Sequence, residues 1–172
     1  KGVDLLIGVL RDILSQDVTF VMLGAGNKDT ESQIETILSA YPRKASLKLG
    51  YDDRLAHLIE AGADIFLMPS KYEPCGLNQM YSMRYGTVPI VRATGGLDDT
   101  VQQFNPADGS GNGFKFGPYQ AGALLEKIRE ALYFYGRPEH WQKIQHNGML
   151  IDNSWAAAAK KYIELYQEMA YV

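Results

Sequence analysis

Glu73 is the side chain whose setting most suggests chemistry. It stands between Tyr72 and Pro74, ahead of Cys75 and Gly76, in the stretch Ser70 to Val101 that reads SKYEPCGLNQMYSMRYGTVPIVRATGGLDDTV. An acid just before a glycine-opened helix serves either as an anchor for the helix terminus or as a ligand group. Two further loops share the glycine punctuation: Gly24-Ala25-Gly26 ahead of Asn27, and Thr94-Gly95-Gly96-Leu97. Glycines before a helix leave backbone N–H groups unpaired where the helix dipole favours an anion, the outline of a phosphate site. Tight strand-to-helix turns also use glycine for purely steric reasons, and both readings stand for Gly24 to Gly26. That segment departs from the G-x-G-x-x-G fingerprint because position 29 is Asp29, which disfavours a nicotinamide cofactor.

Other chemistries find little support. His57, His140 and His146 are scattered over predicted helices without metal-ligand spacing, so no metal is expected. Cys75 is the single cysteine. It cannot form an internal disulfide or a cysteine-based metal site, and it reads as a small packing residue in a reducing compartment, consistent with a cytoplasmic location. No Ser-His-Asp or activated-cysteine arrangement emerges.

The elements that must carry these loops alternate. Val3, Leu6, Ile7, Leu10, Ile13 and Leu14 recur at helical spacing. Val18 to Leu23 predicts a strand, and Thr30-Glu31-Ser32-Gln33 has the capping-box form of a helix reaching Tyr41. Leu47 to Leu49 predicts the next strand, with Asp52 or Asp53 starting a helix, and Asp64 to Met68 is an apolar run suited to a strand buried on both faces. Gly76 to Tyr85 predicts a helix, Val88 to Val91 a strand, and Gly113 to Phe116 a short last one. Such alternation predicts an α/β fold: a Rossmann-like, doubly wound parallel sheet with helices on both faces and ligands at the carboxyl ends of its strands.

The remainder is helical. Leu124, Leu125, Ile128, Leu132 and Tyr135 mark one helix, Pro138 begins a second, and Ser154 caps a third, so residues 138–172 form a helical tail. The last helix bears Trp155, Ala159, Tyr162, Tyr166 and Met169, which either pack into the core or dock onto a domain outside this sequence. Because residue 1 is Lys1 and the first element is a helix, a piece of a longer protein is expected.

Length and charge agree with one globular domain. The 172 residues, 46% of them hydrophobic, suffice for a core. No run of about 18 apolar residues and no signal-peptide pattern is present, so no membrane is expected. The net charge of -3 argues against a nucleic-acid-wrapping surface, so an anionic ligand must be held locally.

The stretch Ser70 to Val101, with KGVDLL at the start and LGYDD at Leu49 to Asp53, resembles the nucleotide-sugar lobe of bacterial glycogen synthases and plant starch synthases, over Lys1 to about Met169. The resemblance implies the C-terminal lobe of a GT-B fold. It further implies transfer of glucose from ADP-glucose to the non-reducing end of an α-1,4-glucan with retention, the acceptor being held by an N-terminal lobe absent here. An isolated lobe is then expected to be inactive, and a plant protein would sit in the plastid.

By the same resemblance, Glu73 of E-P-C-G-L contacts the donor glucose hydroxyls, and a carboxylate there favours the positive charge that develops on the sugar. Lys1 corresponds to a diphosphate-neutralising lysine, whose companion arginine would lie upstream. Cys75, Gly76, Leu77 and Asn78 belong to the loop whose amides face the distal phosphate, with Thr94, Gly95 and Gly96 nearby, and Tyr51 corresponds to an aromatic stacking on adenine. Tyr81 replaces the second glutamate of the E-x7-E pattern of other retaining transferases, which leaves ribose recognition without a named side chain. Arg84 and Arg92 add local positive charge, or serve as solvated or salt-bridged side chains. The donor is the only small molecule implied, with no cofactor; a UDP-glucose-type donor, or a non-catalytic regulatory module, remain the alternative readings.

Overall fold

A computed structural model describes residues 1–170. Its first helix, α1 (Val3–Leu14), is amphipathic and buries Leu5, Leu6, Val9, Leu10, Ile13 and Leu14. Strand β1 (Phe20–Gly24), helix α2 (Lys28–Ser39), strand β2 (Ala45–Leu49), helix α3 (Asp53–Gly62) and strand β3 (Ile65–Met68) follow. Helix α4 (Asn78–Tyr85), strand β4 (Val88–Arg92), the short helix α5 (Gly95–Thr100) and strand β5 (Phe114–Phe116) lead to helices α6 (Ala121–Tyr135), α7 (Pro138–Met149) and α8 (Trp155–Ala170).

Every strand pair is parallel, which requires crossover connections and places helices over the sheet faces. Strand β4 carries the design most clearly. Val88 and Ile90 enter the larger apolar cluster with α1, α6 and α7, while Val91 joins Met68, Leu97 and Val101 in a second cluster under α5. The period-2 alternation of one strand thus feeds two cores, and β4 is the strand buried along nearly its whole length.

The α/β, parallel, helix-covered class expected from the alternation is present, with corrections in detail. The sheet is interrupted: β1 pairs with β2, and β3-β4-β5 form a separate three-stranded sheet. A cavity of about 990 Å³ lies against β1 and β3 and also reaches Lys1, Glu60 and Asn78. Strand β3, expected to be buried on both faces, is therefore only half-buried before Met68.

Helix α2 starts a turn earlier than its capping-box pattern implied. Asn27 is the cap, its side chain accepting from the Thr30 amide at 2.8 Å, and Glu31 reaches back to the Gly26 amide at 2.8 Å. Asp52 rather than Asp53 caps α3, accepting from the Leu55 amide at 2.9 Å. Helix α4 begins at Asn78 and not Gly76, because Gly76 has φ +76° and a side chain there would meet the Gln79 amide. Helix α5 occupies the stretch read as a loop.

The aromatic stripe of α8 does not join the core: Trp155 is 88% exposed, and Tyr162, Tyr166 and Met169 are exposed with it. Among the described residues no helix is long and apolar enough to cross a membrane, and no cluster of three or more metal-ligating side chains forms.

Candidate functional site

The segment from Pro69 to Leu77 lies at the carboxyl end of β3, and three contacts shape it. Gly2, with φ +77°, lies so close to Pro69 that a Cβ would overlap the Pro69 carbonyl, and this brings the start of α1 onto the loop. Lys1 then donates from Nζ to Oε2 of Glu73 at 2.6 Å, although 72 positions separate the two residues. The Lys1 side chain is 74% exposed and that of Glu73 only 11%. Ser70 Oγ donates to the same oxygen at 3.2 Å. The hydrogen bond from the Lys1 ammonium, aided by its charge and by Ser70, holds the Glu73 carboxyl below its ordinary value against the opposing effect of burial.

On the far side, Gly95 and Gly96 abut the same loop. A Cβ on Gly95 would overlap the Glu73 carbonyl oxygen, and one on Gly96 would sit 2.6 Å from Cys75 Cα. The Gly96 amide donates to the carbonyls of Glu73 and Pro74 at 3.1 and 3.2 Å. These glycines therefore have a packing reason, and the Gly96 N–H is occupied by protein rather than open to an anion. Thr94, the cap residue of α5, makes no side-chain capping bond.

The amides of Leu77 and Asn78 differ. Neither finds a protein acceptor among the described residues, and both residues are exposed. As the cap and first residue of an eight-residue helix, they offer the unpaired donors of an anion cradle. A residue that sequence reasoning missed holds this turn from behind. Gln79 is fully buried and donates from Nε2 to the carbonyls of Cys75 (3.2 Å) and Gly76 (3.0 Å) and to Thr100 Oγ1 (3.1 Å). Its place three positions after Gly76, as the second residue of the helix, was the available signal. Ser70, three positions before Glu73, was missed likewise.

Both arginines are structural in their contacts. Arg92 donates from Nε to the Ser70 carbonyl at 2.8 Å, from Nη2 to the Lys71 carbonyl and from Nη1 to the Gly117 carbonyl at 3.4 Å, tying the loop to the end of β5. Arg84 donates to the Met149 carbonyl at 3.2 Å, across to the end of α7.

Tyr81 rests its ring against His57 of α3 at 5.5 Å. Cys75 is exposed, its thiol near the Gly76 carbonyl at 3.5 Å. Tyr51 stands at the carboxyl end of β2, 90% exposed, its hydroxyl 3.3 Å from Asp53. Gly24 and Gly26 have open space where a Cβ would lie. The loops after β1, β2, β3 and β4 all leave the parallel strands at their carboxyl ends, the edge where open α/β sheets take ligands.

Comparison with known proteins supplies the remaining observation. The family model described as "Glycosyl transferases group 1" matches residues 1–147. The glycogen synthase of Koribacter versatilis is 48% identical over 172 residues, which is 100% of this chain and 36% of that protein. Glycogen synthase 1 of Methylococcus capsulatus is 52% identical over 171 residues, 98% of this chain and 35% of its relative. The chain thus spans about a third of the length of these relatives. Among solved structures, the catalytic domain of starch synthase IV from Arabidopsis thaliana, bound to ADP and acarbose, superposes with a TM-score of 0.87 at 35% identity, covering 98% of this chain and 36% of that one.

Proposed function

This chain belongs to the group 1 glycosyl transferases, and from that premise we propose that it is the donor-binding, C-terminal lobe of a glycogen or starch synthase. In this reading it holds ADP-glucose while an N-terminal lobe presents an α-1,4-glucan, and glucose passes to the non-reducing end with retention. The relatives named glycogen synthase and the ADP-bound starch synthase neighbour support the choice. We place the protein in the cytoplasm and assign it no cofactor beyond the donor.

The carrying observation is the pairing of a nearly buried carboxylate, Glu73, with the Lys1 ammonium beside two unpaired amides at Leu77 and Asn78. The amides and the helix dipole hold the distal phosphate. Lys1, whose head is exposed, shifts from Glu73 to the diphosphate and offsets the charge left on ADP as the sugar-phosphate bond breaks. Glu73 is then free to accept from glucose hydroxyls and to stabilise positive charge on the ring. Tyr51, exposed at the carboxyl end of β2, stacks on adenine. The gap between β1 and β3 is the seat of a further parallel strand preceding Lys1.

Calorimetry tests the proposal. The 172-residue chain should bind ADP at roughly millimolar concentration and prefer it to UDP, Tyr51→Ala should weaken ADP, and Glu73→Gln should weaken ADP-glucose more than ADP. No ADP binding, or equal affinity for ADP and ADP-glucose in all three proteins, refutes it. In the longer enzyme, Glu73→Ala retaining most turnover refutes the catalytic role.

A further inference from the structure

Behind the Leu77-Asn78 turn lies a second carboxyl group that the proposed reaction does not use. Glu60, on α3, has a side chain only 3% exposed. Its Oε1 accepts from Asn78 Nδ2 at 2.5 Å, and its Oε2 is buried and finds no hydrogen-bond partner among the described residues. His57 Nδ1, from the same helix, stands 3.6 Å from Oε2 and is itself 3.5 Å from the Tyr85 hydroxyl of α4. The backbone carbonyl of Glu60 accepts from Thr87 Oγ1 at 2.5 Å, which anchors this turn of α3 against the start of β4. Burial pushes the carboxyl up from its ordinary value, against the Asn78 hydrogen bond and the His57 charge, with Asp53 adding to the rise.

A buried acid with one oxygen unsatisfied is a poor device for stability, since an apolar side chain of similar volume generally does as well or better. Its one side-chain hydrogen bond reaches the first residue of α4, and Asn78 is exposed, so water could satisfy that amide in its place. What the bond accomplishes is orientation: it ties the N-terminus of α4 to α3.

We propose that Glu60 is a positioning residue for the nucleoside diphosphate, holding Asn78 so that the Leu77 and Asn78 amides are presented together to the distal phosphate. The inference rests on the donor-binding reading above. It distinguishes function from folding by opposite signs. Glu60→Leu removes a buried oxygen that lacks a hydrogen-bond partner and has only the half-exposed His57 near it at 3.6 Å, and leaves an exposed asparagine to water, so the variant should melt at or above the temperature of the parent chain. Losing the tether should nevertheless weaken ADP about five- to tenfold, the scale of one lost hydrogen bond.

The test is ADP calorimetry with parallel thermal melts on the parent chain, Glu60→Gln, Glu60→Leu, Asn78→Ala and the Glu60→Leu/Asn78→Ala pair. Glutamine keeps an acceptor for Asn78 Nδ2, so Glu60→Gln should stay within about twofold of the parent affinity. Glu60→Leu and Asn78→Ala should each weaken ADP, and the double variant should be no weaker than either, because both act through one bond. If Glu60→Leu binds ADP as the parent does, or if the two effects multiply, the positioning role is overturned while the donor-binding reading stands. If the parent chain binds no ADP, both fall together.

Discussion

Replacing Gly96 by alanine separates a packing role from a ligand role at the most crowded point of the site. An alanine Cβ there would lie 2.6 Å from Cys75 Cα and 2.7 Å from the Cys75 carbonyl carbon, both backbone atoms that cannot swing aside. Relieving the overlap means parting α5 from the Glu73-Pro74-Cys75 turn. Overpacking of this kind costs about 1–3 kcal/mol. The same movement breaks the bond from the Gly96 amide to the Glu73 and Pro74 carbonyls, now 3.1 and 3.2 Å, worth about 1 kcal/mol. The total is about 2–4 kcal/mol, and at about 2–4 °C per kcal/mol for a domain of this size the melting temperature should fall by roughly 4–16 °C. Circular dichroism melts read this directly. Gly122→Ala is the control: nothing lies within 4 Å of the added methyl, and alanine suits helix α6 better than glycine. Its melting temperature should hold or rise slightly. A Gly96→Ala chain melting within about 2 °C of the parent would show that α5 and the loop are not locked together, and the steric account of this glycine pair would be wrong.

Gln79→Leu keeps the volume but removes the donor to the carbonyls of Cys75 and Gly76, together with a buried Oε1 that has no partner among the described residues, and should cost about 1–2 kcal/mol in urea melts, while ADP affinity falls because the turn loosens; an unchanged denaturation midpoint contradicts this. Arg92→Lys cannot reproduce the guanidinium fork onto the Ser70, Lys71 and Gly117 carbonyls, and should lower stability by about 1–2 kcal/mol, with faster amide exchange over residues 70–76; parity with the parent opposes it. Glu73→Gln tests linkage. The folded-state carboxyl is held below its ordinary 4.5, so the stabilisation is present above that value and is lost as pH falls through the lower folded value. Because Lys1 is largely exposed, about 1 kcal/mol is expected at neutral pH. The gap in melting temperature between parent and variant should therefore shrink from pH 7 to about pH 3, and a gap constant with pH denies the ion pair its role.

Much was legible without coordinates because local periodicity is a property of neighbouring residues. The α1 stripe from Val3 to Leu14, the apolar run at β4 and the succession of strands and helices read out an α/β fold directly, since the periods 3.6 and 2 appear in the order of side chains. Glu73 could be singled out the same way, from its place before Pro74 and a glycine-opened helix. The cap of α2 was misjudged because Thr30 and Asn27 are both good caps by type, and only the backbone shows which side chain accepts. Helix α5, six residues with two glycines, has too few positions to show a period.

Tertiary structure alone decided what depends on residues distant in the chain. That Lys1 meets Glu73, that Gly96 spends its amide on that loop, and that Gln79 and Glu60 brace the α4 N-terminus from two sides follow from how the helices pack on the strands; no local pattern encodes such distances. The same holds for the α8 stripe, whose spacing reads alike whether it is buried or, as the structure has it, turned to solvent. Sequence determined which groups could do chemistry, through residue type and period. Packing determined which of them meet, because an ion pair across 72 positions exists only once the elements between have folded.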